Sequence, residues 1–190
     1  HSFPTRRSSD LLIFKTNDGS DGASPTERLR IDSDGSILTA TLGTDNVHLG
    51  EGAGASIASG GNNNVAIGKG AGEALTTATG TTAIGMSAMG TGVVTGDHNT
   101  AVGYLAGNAL TSGVSNTFVG TVAGDANTTG NYNTAIGRGA LSENTTGTRN
   151  TAVGYQAGLV TTTGSYNTYI GWDAGKSNVS GTGNVFVGDE

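Results

Sequence analysis

Residues Asn150–Gly158 read NTAVGYQAG, and Asn133–Leu141 repeat the phrase as NTAIGRGAL. Worked outward, the same pattern begins at Asn46, Asn64, Thr81, Asn99, Asn116, Asn133, Asn150, Asn167 and Asn184. Successive starts lie 18, 17, 18, 17, 17, 17, 17 and 17 residues apart. Near-constant spacing marks a solenoid, in which each repeat is one structural rung. A rung this short has no room for a helical hairpin. The pattern therefore predicts an all-β fold, a parallel β-solenoid (β-roll) of nine rungs.

Within the rung, position 4 is aliphatic throughout: Leu49, Ile67, Ile84, Val102, Val119, Ile136, Val153, Ile170 and Val187. These residues are expected to point inward and stack on one another as the core. Position 5 is always glycine: Gly50, Gly68, Gly85, Gly103, Gly120, Gly137, Gly154, Gly171 and Gly188. Glycine there permits a positive φ or a close backbone approach at a corner. Position 8 is alanine from Ala53 to Ala174 and is assigned to the opposite wall of a narrow coil. A second glycine closes the later rungs at Gly113, Gly130, Gly147, Gly164 and Gly181. Asn at position 1 is expected to form an amide ladder between rungs.

Composition limits the function classes. Glycine is 34 of 190 residues, while Leu, Ile, Val and Phe together are only 36. That is lean for a globular core, but the net charge of −6 is too small for a charge-driven disordered chain. There is no basic stripe to meet nucleic-acid phosphates. With no cysteine, disulfides and thiolate metal sites are excluded. No apolar run reaches membrane-spanning length.

The region before the repeats reads differently. His1–Leu11 (HSFPTRRSSDL) looks like a translated sequencing adapter, so residues 1–11 are set aside as an artefact. Residues 12–45 are expected to form a β-hairpin or cap, or a preceding shaft segment. Leu12–Thr16 and Thr26–Ile31 have strand character, and Asp34–Gly35 is a hairpin turn. Residues 46–190 are the repeat domain, cut within its ninth repeat.

One chain of thin rungs buries little apolar surface, which predicts a homo-oligomer. Position 3 is mostly small with occasional aromatics: His48, Ala66, Ala83, Ala101, Phe118, Ala135, Ala152, Tyr169 and Phe186. It is assigned to the interface between copies.

The phrases at Asn150–Gly158 and Asn133–Leu141 resemble the head repeats of trimeric autotransporter adhesins. The phrase continued by Thr162–Thr168, and Thr26–Gly35 (TERLRIDSDG), are similar to phage tail-fibre-like proteins. The resemblance implies a left-handed, homotrimeric rod on a virion tail fibre or a bacterial cell surface. Its function would be structural and adhesive, in host attachment or cell adhesion, with itself and a host receptor or glycan as partners. The repeats here are longer than those of the adhesin heads, which implies larger turns or a different cross-section.

Other motifs carry less. Gly171–Ser177 (GWDAGKS) falls one residue short of a phosphate-binding loop and lies inside a repeat. His48 and His98 have no hydrolytic partners in the sequence, and acidic residues occupy shifting repeat positions. No catalytic, metal or cofactor site is assigned, and the chain is read as not an enzyme. Tyr104, Tyr155 and Trp172 share position 6 and are candidate glycan-contacting aromatics. Two rival readings are a monomeric ligand- or ice-binding solenoid and a fibre-borne polysaccharide-degrading enzyme. The first draws on the position-2 row Thr100, Thr117, Thr134, Thr151 and Thr168. A regular double threonine row is missing from it.

Overall fold

The computed structural model describes residues 10–16, 26–32, 37–39 and 45–189. The adapter-like residues 1–9 and the expected turns at 17–25 and 33–36 lie outside them. The chain divides into two compact units, His1–Thr41 and Leu42–Glu190.

The first unit is a three-stranded antiparallel sheet of β1 (Asp10–Thr16), β2 (Thr26–Asp32) and β3 (Ile37–Thr39), in that order. Leu12 pairs with Ile31 and Phe14 with Leu29, while Leu29 and Ile31 pair with Thr39 and Ile37 on the other side. Strand β1 therefore begins inside the segment set aside as an adapter.

The second unit is the solenoid. Its strands are β4 (Val47–Leu49), β5 (Val65–Ile67), β6 (Thr82–Ile84), β7 (Thr100–Val102), β8 (Thr117–Val119), β9 (Thr134–Ile136), β10 (Thr151–Val153), β11 (Thr168–Ile170) and β12 (Val185–Val187). All nine pair in parallel and in sequence order, and no helix occurs among the described residues. The register follows the repeat, with Thr134 opposite Thr151 and Thr151 opposite Thr168. The 18-residue spacings keep it too, as Val47 faces Val65 and Thr82 faces Thr100. The extra residues are absorbed in the turns.

Hydrogen bonds between rungs run round the coil rather than along the strands alone. Thr134 N–H donates to Asn150 O at 2.8 Å on the strand side. Gly124 N–H donates to Ala140 O at 2.9 Å, and Thr128 N–H to Thr145 O at 3.0 Å, on the other sides. Each backbone turn is thereby satisfied by the next rung, as a narrow coil requires.

The interior reverses the sequence expectation. Position 3 faces inward: Ala66, Ala83, Ala101, Phe118, Ala135, Ala152 and Tyr169 are all fully buried. Position 4, expected to be the core, faces outward. Leu49, Ile136, Val153, Ile170 and Val187 are exposed, and Ile67, Ile84, Val102 and Val119 are half-buried. Neighbouring strand residues point to opposite sides, so only one of positions 3 and 4 can enter the coil. The opposite wall lies too near for an aliphatic on every rung, and alanine takes the inner place.

Bulk is supplied in turn by different inward positions. The large side chains are Ile57, Leu75 and Leu110 at position 12, Val94 at position 14, Met89 and Leu141 at position 9, and Phe118 and Tyr169 at position 3. Where an aromatic fills position 3, as at Phe118 and Tyr169, position 9 is glycine both in its own rung (Gly124, Gly175) and in the rung before (Gly107, Gly158). A Cβ on Gly107 would lie 2.8 Å from the Phe118 ring, and one on Gly158 2.7 Å from the Tyr169 ring. Ala71, Ala88, Ala106, Ala123, Ala140, Ala157 and Ala174 form the facing wall, as position 8 predicts.

The position-5 corner also follows expectation. Gly120 has φ +133, and a Cβ there would lie 2.6 Å from the Gly137 carbonyl oxygen. Both a left-handed conformation and a close rung approach demand glycine at this place.

Candidate interaction surface

Position 1 carries the expected ladder. Asn150 Nδ2 donates to Gly164 O at 2.8 Å, and its Oδ1 accepts from Asn167 N–H at 3.0 Å. The same pair of bonds recurs at Asn116, Asn133 and Asn167. All are buried, so these residues are structural and offer no surface to a ligand. Thr81 interrupts the ladder, and its hydroxyl oxygen is buried without a partner.

With position 3 inside, positions 2 and 4 together form the outer strand face. It presents Thr100, Thr117, Thr134, Thr151 and Thr168 beside Val102, Val119, Ile136, Val153 and Ile170. The exposed apolar side chains at β9–β11 are 37 to 44% accessible. The apolar row is regular along the whole sheet face. The stripe assigned to the interface from sequence, position 3, is sealed inside its own coil.

Two side-chain stacks run along the rod at the two ends of these strands. At position 6, Arg138 lies over the Tyr155 ring at 5.5 Å and donates from Nη1 to its hydroxyl at 2.9 Å. Tyr155 stacks on Trp172 with ring centroids 4.3 Å apart. By rung order, Tyr155 thus has a neighbour on both faces. Stacking a sugar on Tyr155 would displace one of them, whereas Trp172 and Tyr104 remain exposed.

The second stack sits on the residue preceding each rung. Arg149 lies between Tyr132 and Tyr166, 5.2 and 5.3 Å from their ring centres, and donates to the Tyr166 hydroxyl at 2.9 Å. Tyr132, Arg149 and Tyr166 all have φ near +58. Bulky residues rarely adopt that region, which glycine occupies at Gly80 and Gly183. The sequence hides this row because the residue before each rung varies from Asp45 and Asn63 through Gly80, His98 and Ser115 to Tyr132, Arg149 and Tyr166. Its one signal is that aromatic and arginine side chains occupy the last place of three successive rungs.

The remaining motifs are structural. Lys176 in the GWDAGKS segment pairs with Asp173 at 2.9 Å, within the turn. Lys69 pairs with Glu51 at 3.0 Å. Among the described residues no group of three His, Cys, Asp or Glu side chains could hold a metal ion. His48 is the inward residue of the first rung, its Nε2 buried without a partner, and burial lowers its pKa. Asp125 is pushed up by burial, opposed by a hydrogen bond from Ser142.

No family model matches this chain, and no curated protein or solved structure matches it either.

Proposed function

We propose that the solenoid is a structural and adhesive rod that associates side by side with copies of itself, as the shaft of a phage tail fibre or a bacterial surface adhesin. The observation that carries this reading is the outward row of Val, Ile and Leu at position 4, repeated on nine successive rungs. A partner that covers such a row must match its rung spacing over the full length. Another copy of the same coil does so without further adjustment, and closed symmetry is the common outcome. Three copies is the number implied by the resemblance to adhesin heads. The rod would act mechanically, holding attachment surfaces away from its anchor and multiplying weak contacts with a host receptor or glycan.

Light scattering on the intact chain tests this. A mass several times that of one chain is expected, and the double variant Ile136→Asp, Val153→Asp should reduce it to one. A wild-type chain that stays monomeric at high concentration would overturn the reading.

A second reading gains one supporting observation. Positions 2 and 4 project on the same side, so threonine and aliphatic rows lie together on a regular face. That arrangement favours a monomeric ice-binding solenoid more than an inward position 4 would. Thermal hysteresis in the monomeric fraction would support it, and its absence would remove it.

A further inference from the structure

We propose that the two edges of the outward sheet face bind each other between copies of this chain, locking them head to tail and rung for rung. The inference rests on the self-association reading and adds which residues meet and in what register.

The starting point is a break in the repeat. Large side chains flank both ends of a strand at three adjacent levels, β9 to β11, all exposed except Tyr155, which is half-buried in its stack. Strand β9 lies between Tyr132 and Arg138, β10 between Arg149 and Tyr155, and β11 between Tyr166 and Trp172. The neighbouring β8 level has Ser115 and Thr121 at the same places, and the β12 level has Gly183 and Asp189.

The geometry of a ring decides which edges meet. In a parallel solenoid the strands run across the rod, so a rotation axis along the rod carries each strand end toward the strand start of the next copy. The residue after one strand then faces the residue before the equivalent strand of its neighbour, at the same height. Such a contact joins two different patches and closes on rotation. Level by level, Tyr132 meets Arg138 of the next copy, Arg149 meets Tyr155, and Tyr166 meets Trp172. Because the stacks run along the rod and cover the ring faces within each chain, these groups meet edge to edge: at two levels a guanidinium offers its in-plane donors to a tyrosine, and at the third two aromatic edges pack.

The pairing also selects the register. A slip of one rung in one direction sets Arg149 against Arg138, two like charges. A slip in the other leaves Arg138 opposite Ser115 and Tyr166 opposite Asp189 but sets Arg149 against Trp172, and what excludes it is that a constant slip around the axis does not close the ring. Within one chain the two arginines are held by tyrosines, and among the described residues neither meets a carboxylate, unlike Lys69 and Lys176. Each guanidinium therefore keeps donors and its charge for a partner across the interface. At the β4 level Asp45 would meet Glu51, an acidic pair eased by Lys69 on Glu51.

The chain has no cysteine, so disulfide trapping reads the contact directly. Tyr166→Cys with Trp172→Cys places thiols at the two edges of one level. Six residues of extended chain separate them by up to ~20 Å within a copy, too far for a disulfide, which needs Cα atoms within ~7 Å. Oxidation should link chains covalently, with the closed product matching the oligomer mass from light scattering. Tyr166→Cys alone should give no such series. The out-of-register pair Tyr132→Cys, Trp172→Cys, two rungs or ~9.6 Å apart in height, should not link either. If the first pair misfolds by circular dichroism, Tyr132→Cys with Arg138→Cys replaces it at another level. Oligomers that do not link, or that link equally with the out-of-register pair, overturn the edge pairing and leave self-association standing. A wild-type monomer that yields no linked product overturns both.

Discussion

The backbone N–H of Asn167 donates to the side-chain oxygen of Asn150 at 3.0 Å, with both residues buried in successive rungs. The Asn150 carboxamide nitrogen closes its own rung by donating to Gly164 O at 2.8 Å. One side chain thus satisfies a turn carbonyl within its rung and an amide of the next.

Asn150→Ala should therefore leave two buried backbone groups without partners. A loss of about 3 kcal/mol is expected, since each orphaned group costs roughly 1–3 kcal/mol. Chemical denaturation measures it. A loss no greater than that of an exposed substitution such as Thr146→Ala would show that the ladder is not structural.

Thr81 is the one gap in this ladder among the complete rungs, and its buried hydroxyl oxygen has no partner. Thr81→Asn should restore the acceptor for the Asn99 amide and stabilise the chain by about 1 kcal/mol. An unchanged or lower midpoint would mean that the 18-residue rung beginning there cannot take the carboxamide.

Val122 is a β-branched residue at φ 50, a region that costs an L-residue roughly 1–2 kcal/mol. The equivalent rung position is glycine at Gly52, Gly70 and Gly139. Val122→Gly should raise the melting temperature, and Gly139→Val should lower it. Calorimetry on both variants checks the sign, and a fall for Val122→Gly would show that its side-chain packing outweighs the backbone relief.

His48 gives the first rung a pH dependence. Burial lowers its pKa below the ordinary 6.5, so the folded state favours the neutral imidazole. Its contribution is fully present above the unfolded pKa and declines as pH falls below about 6.5, because the unfolded chain takes up the proton first. His48→Ala, which matches the alanine of rungs such as that of Ala66, should flatten this slope. Stability measured from pH 8 down to the folded pKa would sink the assignment if the two proteins decline in parallel.

The outward strand face and its flanking stacks were half legible in the sequence. The threonine row at position 2 and the aromatics at position 6 are visible as repeat positions, as are the glycine corners. The Tyr132, Arg149 and Tyr166 stack spans three rungs and becomes a unit only when residues 17 apart are brought side by side. Likewise, nothing in the sequence singles out the glycines at Gly107 and Gly158. Their cause is the Phe118 and Tyr169 rings lying against them.

By itself the sequence determined the period, the parallel coil, the Gly120-type corners and the Asn150-type ladder. Each of these follows from a residue whose backbone conformation or hydrogen bonding admits few substitutes. The tertiary structure alone decided which side of each strand is the inside. Positions 3 and 4 are both apolar, and strand alternation requires only that they differ. The distance to the alanine wall settled it, admitting Ala135 and Ala152 and turning Ile136 and Val153 outward.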